Sequence, residues 1–301
     1  MSALVSLAVL LAVAPLLPGV ATKTVAFLTG RRGAPVLQPY RDLIRLWWKG
    51  LVYSPVTTWI FRVAPFVWVL TGMAAACLVP LGGRPALCSF AGDFVLFAGL
   101  LALGRFFLTL AALDTGSSFE GMGASRELMI GSFAESVLFL AFTTLAVAKG
   151  GLSLSALFAP AAGASGAHVG VSVAMVGLSL GMLLLAEAAR GPIDDPATHL
   201  ELTMVHEAMI LDHSGPDLAL ILYGSALRFA LFASLLVGLA WPRGGPSGLA
   251  GVAALAFGVV AAAVLVGCIE SSMARLRLMR IPQYLASALV LAALGALLLL
   301  F

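Results

Sequence analysis

Charged residues are scarce in this sequence: they make up 10% of its 301 residues, whereas hydrophobic residues make up 61%. Soluble globular chains carry roughly 25% charged residues. A soluble fold of this length could not bury so many large apolar side chains, so lipid must solvate most of the chain. The scarcity of charge therefore excludes a soluble protein and indicates an integral membrane protein.

Cysteine and long basic runs are also scarce. The three cysteines, Cys77, Cys88 and Cys268, are far apart and form no CxxC pair. They cannot build an iron–sulfur, zinc or nickel thiolate site within this chain. We interpret them as small apolar packing residues, with a Cys77–Cys88 disulfide as the alternative. Because no basic run is present, the net charge of +3 does not indicate nucleic-acid binding.

Long apolar runs are abundant. About 20 apolar residues at 1.5 Å per residue cross the hydrocarbon core of a bilayer. We therefore predict an all-α integral membrane protein, with one domain over residues 1–301, about eight transmembrane helices and no internal repeat. The absence of an inverted repeat argues against a lone secondary transporter. The predicted spans are residues 2–28, 62–80, 90–113, 126–148, 169–189, 216–240, 248–270 and 282–301.

Basic residues predict the orientation of the spans. Loops 1, 3, 5 and 7 contain ten of them, whereas the other loops contain three, Arg84, Lys149 and Arg243. The positive-inside rule then places both termini outside and the odd-numbered loops in the cytoplasm. A signal peptide cleaved after Ala21 is the alternative, but it would leave six basic residues, Lys23 to Lys49, outside.

Loops 1 and 3 have different compositions. In loop 1, Leu43, Leu46 and Trp47 share one helical face, which predicts an interfacial amphipathic helix that anchors the chain or roofs a site. Loop 3, residues 114–127, is rich in glycine but lacks the GxxxxGK[ST] pattern of a phosphate loop. Ser125 is predicted to cap the helix that follows loop 3.

Loop 5 carries many acids and histidines, and we predict a second interfacial helix there. A zinc protease motif fails because Ile210 stands where His-Glu-x-x-His requires its second histidine. His199, His206 and His213 recur every seven residues, so one helical face would carry all three. Successive members would lie about 10 Å apart along the axis, too far to share one metal. We interpret them as a hydrogen-bonded polar face.

Three charged residues are predicted inside the membrane. Arg105 lies nine residues before Asp114, and Glu135 lies nine residues after Arg126, so each is about 13 Å deep. This common depth permits an Arg105–Glu135 pair, and Arg228 is similarly deep. Such groups face a helix bundle or a wet cavity rather than lipid. Two interpretations of these charged residues stay open: ion pairs that fix helix packing, or a role in charge transfer.

Four segments resemble the membrane subunit 1 family of respiratory complex I, and more closely the anchor subunit of group 4 membrane-bound [NiFe] hydrogenases, including formate hydrogenlyase. They are Gly30 to Tyr40, Leu113 to Glu127, Ala186 to Glu207 and Glu270 to Arg277. The resemblance implies one subunit 1-like transmembrane domain in a bacterial or archaeal cytoplasmic (inner) membrane. It implies no cofactor in this chain, with a NiFe centre and iron–sulfur clusters in partner subunits.

The resemblance also implies partners and residue roles. The partners are a hydrogenase-like large subunit, an iron–sulfur small subunit, antiporter-like membrane subunits and the lipid bilayer. The subunit would link redox chemistry in the partners to movement of H⁺ or Na⁺. We assign the ion pathway to Glu187, Asp194, Asp195, Glu201, Glu207 and the deeper Glu135, with Arg190, Arg126, Arg105 and Arg228 as counter-ions. We assign partner docking to Arg31, Arg32, Gln38, Pro39, Asp114, Ser117, Ser118, Glu270, Arg275 and Arg277.

Two other functions stay open at this point. A passive anchor would use its acidic residues only to bind partners. A quinone-reactive complex I subunit would need an amphipathic cavity beside loop 1, although loop 5 here departs from the carboxylate-richer pattern of complex I.

Overall fold

A computed structural model describes residues 2–159, 167–188, 190, 205–241, 245–246, 248–273, 276 and 280–300. Within these residues the chain is helical and contains no strand. The helices are α1 (Ser2–Val13), α2 (Leu16–Leu28), α3 (Gln38–Trp47), α4 (Trp59–Leu78), α5 (Asp93–Asp114), α6 (Ser118–Lys149), α7 (Leu154–Leu157), α8 (Ala167–Glu187), α9 (His206–Met209), α10 (Gly215–Leu239), α11 (Leu249–Ser272) and α12 (Ile281–Leu297).

Six of the described helices are long and apolar enough to cross a membrane: α4, α5, α6, α8, α10 and α11. The pair α1 and α2 makes a seventh span if it is counted as one, with a bend of 47°. Pro15 lies at this bend, where its missing N–H cannot continue the α1 ladder. Helix α12 is apolar but has 17 residues, at the lower limit for a span. The all-helical membrane fold is confirmed, whereas the count of eight and the position of the termini stay predictions.

Helix α10 lies at the centre of the bundle and contacts α3, α4, α8 and α11. Helix α6 packs against α5, α8 and α12. Large side chains that are almost fully buried, such as Phe97, Phe142 and Phe232, fill the space between these helices. Helices α5, α6, α8 and α10 carry charged side chains of the bundle interior, among them Arg105, Glu135, Glu187 and Arg228.

The prediction for loop 3 was wrong in its extent. Helix α6 begins at Ser118, so only Thr115 to Ser117 connect it to α5. Ser125 is therefore not a cap; it lies within α6 and its hydroxyl donates to the Met122 carbonyl. Glycine lowers helix propensity, so the local sequence of this segment favours a loop. Tertiary packing outweighs this cost, because a Cβ at Gly123 would lie 2.9 Å from Ala208 Cβ of α9.

The helix predicted in loop 1 is confirmed as α3, on which no residue is fully buried, and its place at the membrane interface stays a prediction. The described part of loop 5 contains a single helical turn, α9, which ends at Met209. His206 and His213 therefore do not share one helical face, and that interpretation was wrong for this pair; His199 lies outside the described residues. Cys77, Cys88 and Cys268 are all free thiols, so the alternative of a Cys77–Cys88 disulfide was wrong.

Candidate functional site: a buried charge cluster beside a cavity

Arg105 of α5 holds three glutamates from two other helices. Its Nε lies 3.2 Å from Glu127 Oε1, and its Nη1 lies 3.1 Å from Glu135 Oε1, both on α6. Its Nη2 donates to Glu187 at the end of α8. The Arg105 side chain is 6% exposed, so the guanidinium acts as a buried hub between three helices. The predicted Arg105–Glu135 pair is confirmed, and two further carboxylates join it.

The sequence of α6 creates the space for this hub. Gly131 lies four residues after Glu127 and four residues before Glu135, so all three share one side of the helix. A Cβ at Gly131 would lie 2.7 Å from Arg105 Cδ and 2.8 Å from its Nη1. The missing side chain therefore lets the guanidinium lie against the α6 backbone, within reach of both glutamates.

The charges within the Arg105 cluster do not balance. With every group ionised, one guanidinium and three carboxylates sum to −2, and each bound proton reduces that excess by one. Charge imbalance of this size is expensive away from water. Glu135 is the most accessible of the three glutamates, because its side chain is 38% exposed in the isolated chain while that of Glu187 is 8% exposed. The cluster therefore reaches the outer surface of the bundle through Glu135.

Arg228 of α10 lies next to the Arg105 cluster but uses different partners. Its guanidinium carbon lies 3.5 Å from the ring centroid of Trp68, and its Nη2 donates to the Leu101 carbonyl at 2.9 Å. A Cβ at Gly104 would lie 2.4 Å from Arg228 Nη2, so this glycine, which precedes Arg105, lets the two arginines approach. Arg228 is 1% exposed and contacts no carboxylate within ion-pair distance among the described residues. An aromatic face and a carbonyl thus stabilise this cation.

Trp68 also links Arg228 to a large cavity. The Trp68 ring centroid lies 5.8 Å from that of His206, and His206 Nε2 lies 3.0 Å from the Ser225 hydroxyl. His206 and Ser225 line a cavity of about 550 Å³. The cavity lies between α2, α3, α9 and α10, and Leu218, Leu222 and Phe229 line it with apolar side chains. His206 of the cavity wall and the buried Arg228 therefore contact the same tryptophan.

Arg190 and Glu207 belong to the polar wall of this cavity. Arg190 Nη1 lies 2.9 Å from the Thr22 hydroxyl and 3.8 Å from Glu270 Oε2 at the end of α11. Burial lowers the pKa of Arg190, and the charge of Glu270 opposes that effect. Arg190 therefore ties loop 5 to α2 and α11.

A second polar group lies at the cavity's edge. The ring of His213 stacks on that of Phe61, with centroids 3.9 Å apart, and burial lowers the pKa of His213 to about 4. Nearby, the Tyr53 hydroxyl donates to Asp217 at 2.8 Å. Burial and this hydrogen bond raise the pKa of Tyr53. These groups join the segment after α3 to the start of α10.

The structure brings only part of the predicted site together. Glu187, Glu135 and Arg105 meet directly, with Arg228 beside them, and Glu207 and Arg190 line the cavity. Arg126 Nη2 contacts the Met122 sulfur on its own helix. The sequence reasoning missed Glu127, which was assigned to a loop, and Trp68, which was not singled out. Asp194, Asp195, Glu201, Arg275 and Arg277 lie outside the described residues.

The predicted docking residues differ in exposure. Arg31 and Arg32 are exposed beside α3. Asp114 instead accepts hydrogen bonds from the N–H of Thr58, at 2.6 Å, and from its hydroxyl, at 3.0 Å, so it holds the N-cap residue of α4. Glu270 pairs with Arg190 as described above. Docking stays a prediction for all of these residues, including Gln38, Pro39, Ser117 and Ser118.

This fold and site define a multi-pass inner-membrane protein with a charged interior. The chain belongs to the family described as NADH dehydrogenase, which matches residues 1–301. Formate hydrogenlyase subunit 4 of Escherichia coli is 32% identical over 286 residues, which are 91% of this chain and 90% of that protein. Hydrogenase-4 component C of Escherichia coli is 32% identical over 242 residues, 80% of this chain and 75% of that protein.

A solved structure confirms the fold. The chain resembles one in the membrane-bound sulfane sulfur reductase, an archaeal respiratory membrane complex, with a TM-score of 0.80 at 18% identity. The match covers 99% of this chain and 98% of that chain. The architecture described above is therefore shared with a chain of that complex.

Proposed function

We propose that this chain is the membrane anchor and ion-coupling subunit of a membrane-bound [NiFe] hydrogenase or formate hydrogenlyase-type complex. The observation that carries the proposal is the Arg105 cluster, in which three glutamates share one buried cation. Groups of this kind form proton relays in membrane proteins. The two hydrogenase-related Escherichia coli relatives support the type of complex.

The chain's own residues suggest how coupling proceeds. Redox chemistry in attached subunits changes the charge near the cavity that Glu207 and His206 line. That change alters the proton occupancy of the coupled glutamates, because their titrations depend on one another. Arg105 holds the carboxylates in place, and Glu135 passes charge towards a neighbouring membrane subunit. Either H⁺ or Na⁺ is consistent with carboxylates as the carriers.

The composition of the native complex tests the type of complex. A tagged chain is purified in mild detergent, and the co-purifying proteins and metals are identified by mass spectrometry and elemental analysis. We expect nickel, a hydrogenase-like large subunit, an iron–sulfur subunit and an antiporter-like membrane subunit. Recovery of flavin with an NADH-oxidising module, or of the chain alone without metal, would contradict the proposal.

A passive anchor makes a different prediction for the glutamates. If the acids only bind partners, Glu135→Gln would weaken assembly and redox activity together. If they carry ions, the complex would assemble normally and lose ion movement. The yield of the purified complex and its ion translocation, measured on the same preparation, separate the two functions.

The 550 Å³ cavity favours a second candidate function, quinone binding. It opens beside α3, where the quinone alternative requires it, and combines apolar walls with His206, Glu207 and Arg190. Such a pocket suits a flat polar head group with an apolar tail. Quinone-site inhibitors would then block turnover of the purified complex, and Leu222→Trp, which narrows the cavity, would raise the inhibitor concentration needed. Turnover insensitive to these inhibitors would exclude this candidate.

A further inference from the structure

A second cavity, of about 240 Å³, lies at the end of the bundle opposite α3 and α9. The turn that follows α4, the short helix α7, the end of α10 and the first turns of α11 form its walls. It shares no lining residue with the larger cavity. The ends of membrane-spanning helices lie at the depth of lipid head groups, so this cavity is positioned near that layer.

Arg84 contributes a buried donor to this second cavity. Its Nη1 is inaccessible to solvent and has no hydrogen-bond partner among the described residues. No carboxylate of the described chain lies within ion-pair distance of Arg84 either, whereas Arg105 has three such partners. A buried guanidinium nitrogen without an acceptor is unfavourable, so the arrangement calls for an anion.

The groups around Arg84 are also donors. The Ser155 hydroxyl accepts the Ala86 N–H at 3.0 Å, which leaves its own proton for a ligand. A Cβ at Gly83 would lie 2.7 Å from Trp241 Nε1, so the indole N–H edge lies against the turn. Gly83 also has a φ of +73°, a backbone conformation that favours glycine. A Cβ at Gly248, just before α11, would lie 3.9 Å from Arg84 Nη2. The positive end of the α11 dipole therefore lies on the same side.

We propose that Arg84 binds a phosphate group in this cavity, carried by an anionic phospholipid. Phosphate suits a guanidinium, a hydroxyl and an indole N–H because it offers several charged acceptor oxygens. The lipid is the favoured source because Phe158, Leu255 and Pro80 line the cavity with apolar surface for a glycerol backbone and upper acyl chain. Tryptophan is also typical of this depth in membrane proteins. Inorganic phosphate shares the chemistry and is the source to be distinguished.

The test compares Arg84→Gln with Arg45→Gln in the complete complex. Arg45 is an exposed arginine on α3, so its variant loses the same charge far from the cavity. Each complex is reconstituted in nanodiscs of phosphatidylcholine with phosphatidylglycerol, re-extracted and washed, and the retained lipid is quantified by mass spectrometry. Binding of radiolabelled inorganic phosphate is measured on delipidated samples.

Retention of phosphatidylglycerol by the unmodified complex and Arg45→Gln, with loss in Arg84→Gln, would support the proposal. Phosphate binding without selective lipid retention would overturn the lipid source. Equal lipid retention by all three complexes would overturn the site. Should Arg84→Gln fail to assemble, a photoactivatable phosphatidylglycerol is cross-linked to the unmodified complex. Labelling at residues 80–86 or 155–159 supports the site, and labelling confined elsewhere contradicts it.

Discussion

Trp68 contacts both Arg228 and His206. The guanidinium carbon of Arg228 lies 3.5 Å from the Trp68 ring centroid, and the ring centroid of His206 lies 5.8 Å from that of Trp68. The same indole donates its N–H to the Ile221 carbonyl at 3.2 Å. A Cβ at Gly224 would lie 2.2 Å from Trp68 Cδ1, so a glycine is required beside the ring. Trp68 therefore contacts both a histidine that lines the cavity and the buried Arg228.

Replacement of Trp68 by leucine should destabilise the complex and slow ion movement. Leucine removes the aromatic face that stabilises a desolvated Arg228 cation, a contribution of about 2 kcal/mol. For a chain of this size that loss lowers Tm by about 3 °C. Thermal unfolding of the purified complex measures the effect. Trp59→Leu is the control because Trp59 is 66% exposed, and an equal drop in Tm for both variants would contradict the assigned role of Trp68.

Gly131→Ala should displace Arg105 from its three glutamates. The added methyl group would meet Arg105 Cδ at 2.7 Å, and overpacking of this kind costs about 1–3 kcal/mol. We expect the complex to assemble in lower yield and to lose coupled ion movement. Gly121→Ala is a matched control on α6, because no other atom lies within 4 Å of its Cβ position. Normal coupling in Gly131→Ala would show that Arg105 does not need this space.

Arg105→Gln should be more damaging than Arg105→Lys. Glutamine leaves three buried carboxylates without their cation, and breaking a buried ion pair in this way costs about 3–5 kcal/mol. Lysine keeps the charge, but its single ammonium group cannot reproduce the three-way contact of the guanidinium. We expect Arg105→Lys to assemble with weakened coupling and Arg105→Gln to assemble poorly. Size-exclusion chromatography and redox turnover measure both variants; equal behaviour would contradict the role of Arg105 as hub.

Because His213 is buried, we expect the folded chain to lose stability at acid pH. Burial lowers its pKa to about 4 in the folded chain, against about 6.5 when unfolded. Between these values the unfolded chain binds a proton that the folded chain does not. Stability contributed by the neutral ring is therefore fully present above pH 6.5 and is lost as the pH falls towards 4, by about 3 kcal/mol in total.

Thermal unfolding between pH 7 and pH 4 checks this dependence. His213→Phe preserves the stacking on Phe61 and should flatten the change in Tm across this window. His168→Gln is the control because His168 is exposed at the start of α8, so its replacement should leave the pH dependence intact. A His213→Phe complex with the same pH dependence as the unmodified one would contradict the assignment.

Hydropathy and helix geometry predict most of the bundle from the sequence, because the energetic cost of exposing backbone to lipid leaves few alternatives. The common depth of Arg105 and Glu135 followed from residue counting alone. Glu127 could not be assigned in the same way, since the glycines at 121 and 123 favour a loop when considered locally. Packing of α9 against Gly123 extends α6 and carries Glu127 into the bundle. The contact between Trp68 and Arg228 depends on the crossing of α4 and α10, which periodicity does not predict.

The measurement that tests the central claim most directly is ion translocation by a Glu187→Gln complex in proteoliposomes. Redox turnover and ion movement are recorded on the same sample, beside Glu120→Gln as the control. Glu120 is also buried on α6, but it accepts the Asp212 N–H at 2.9 Å outside the Arg105 cluster, a role that a glutamine oxygen can keep. We predict that Glu187→Gln assembles yet moves no ions above background, while Glu120→Gln remains coupled. Undiminished ion movement in Glu187→Gln would contradict the account.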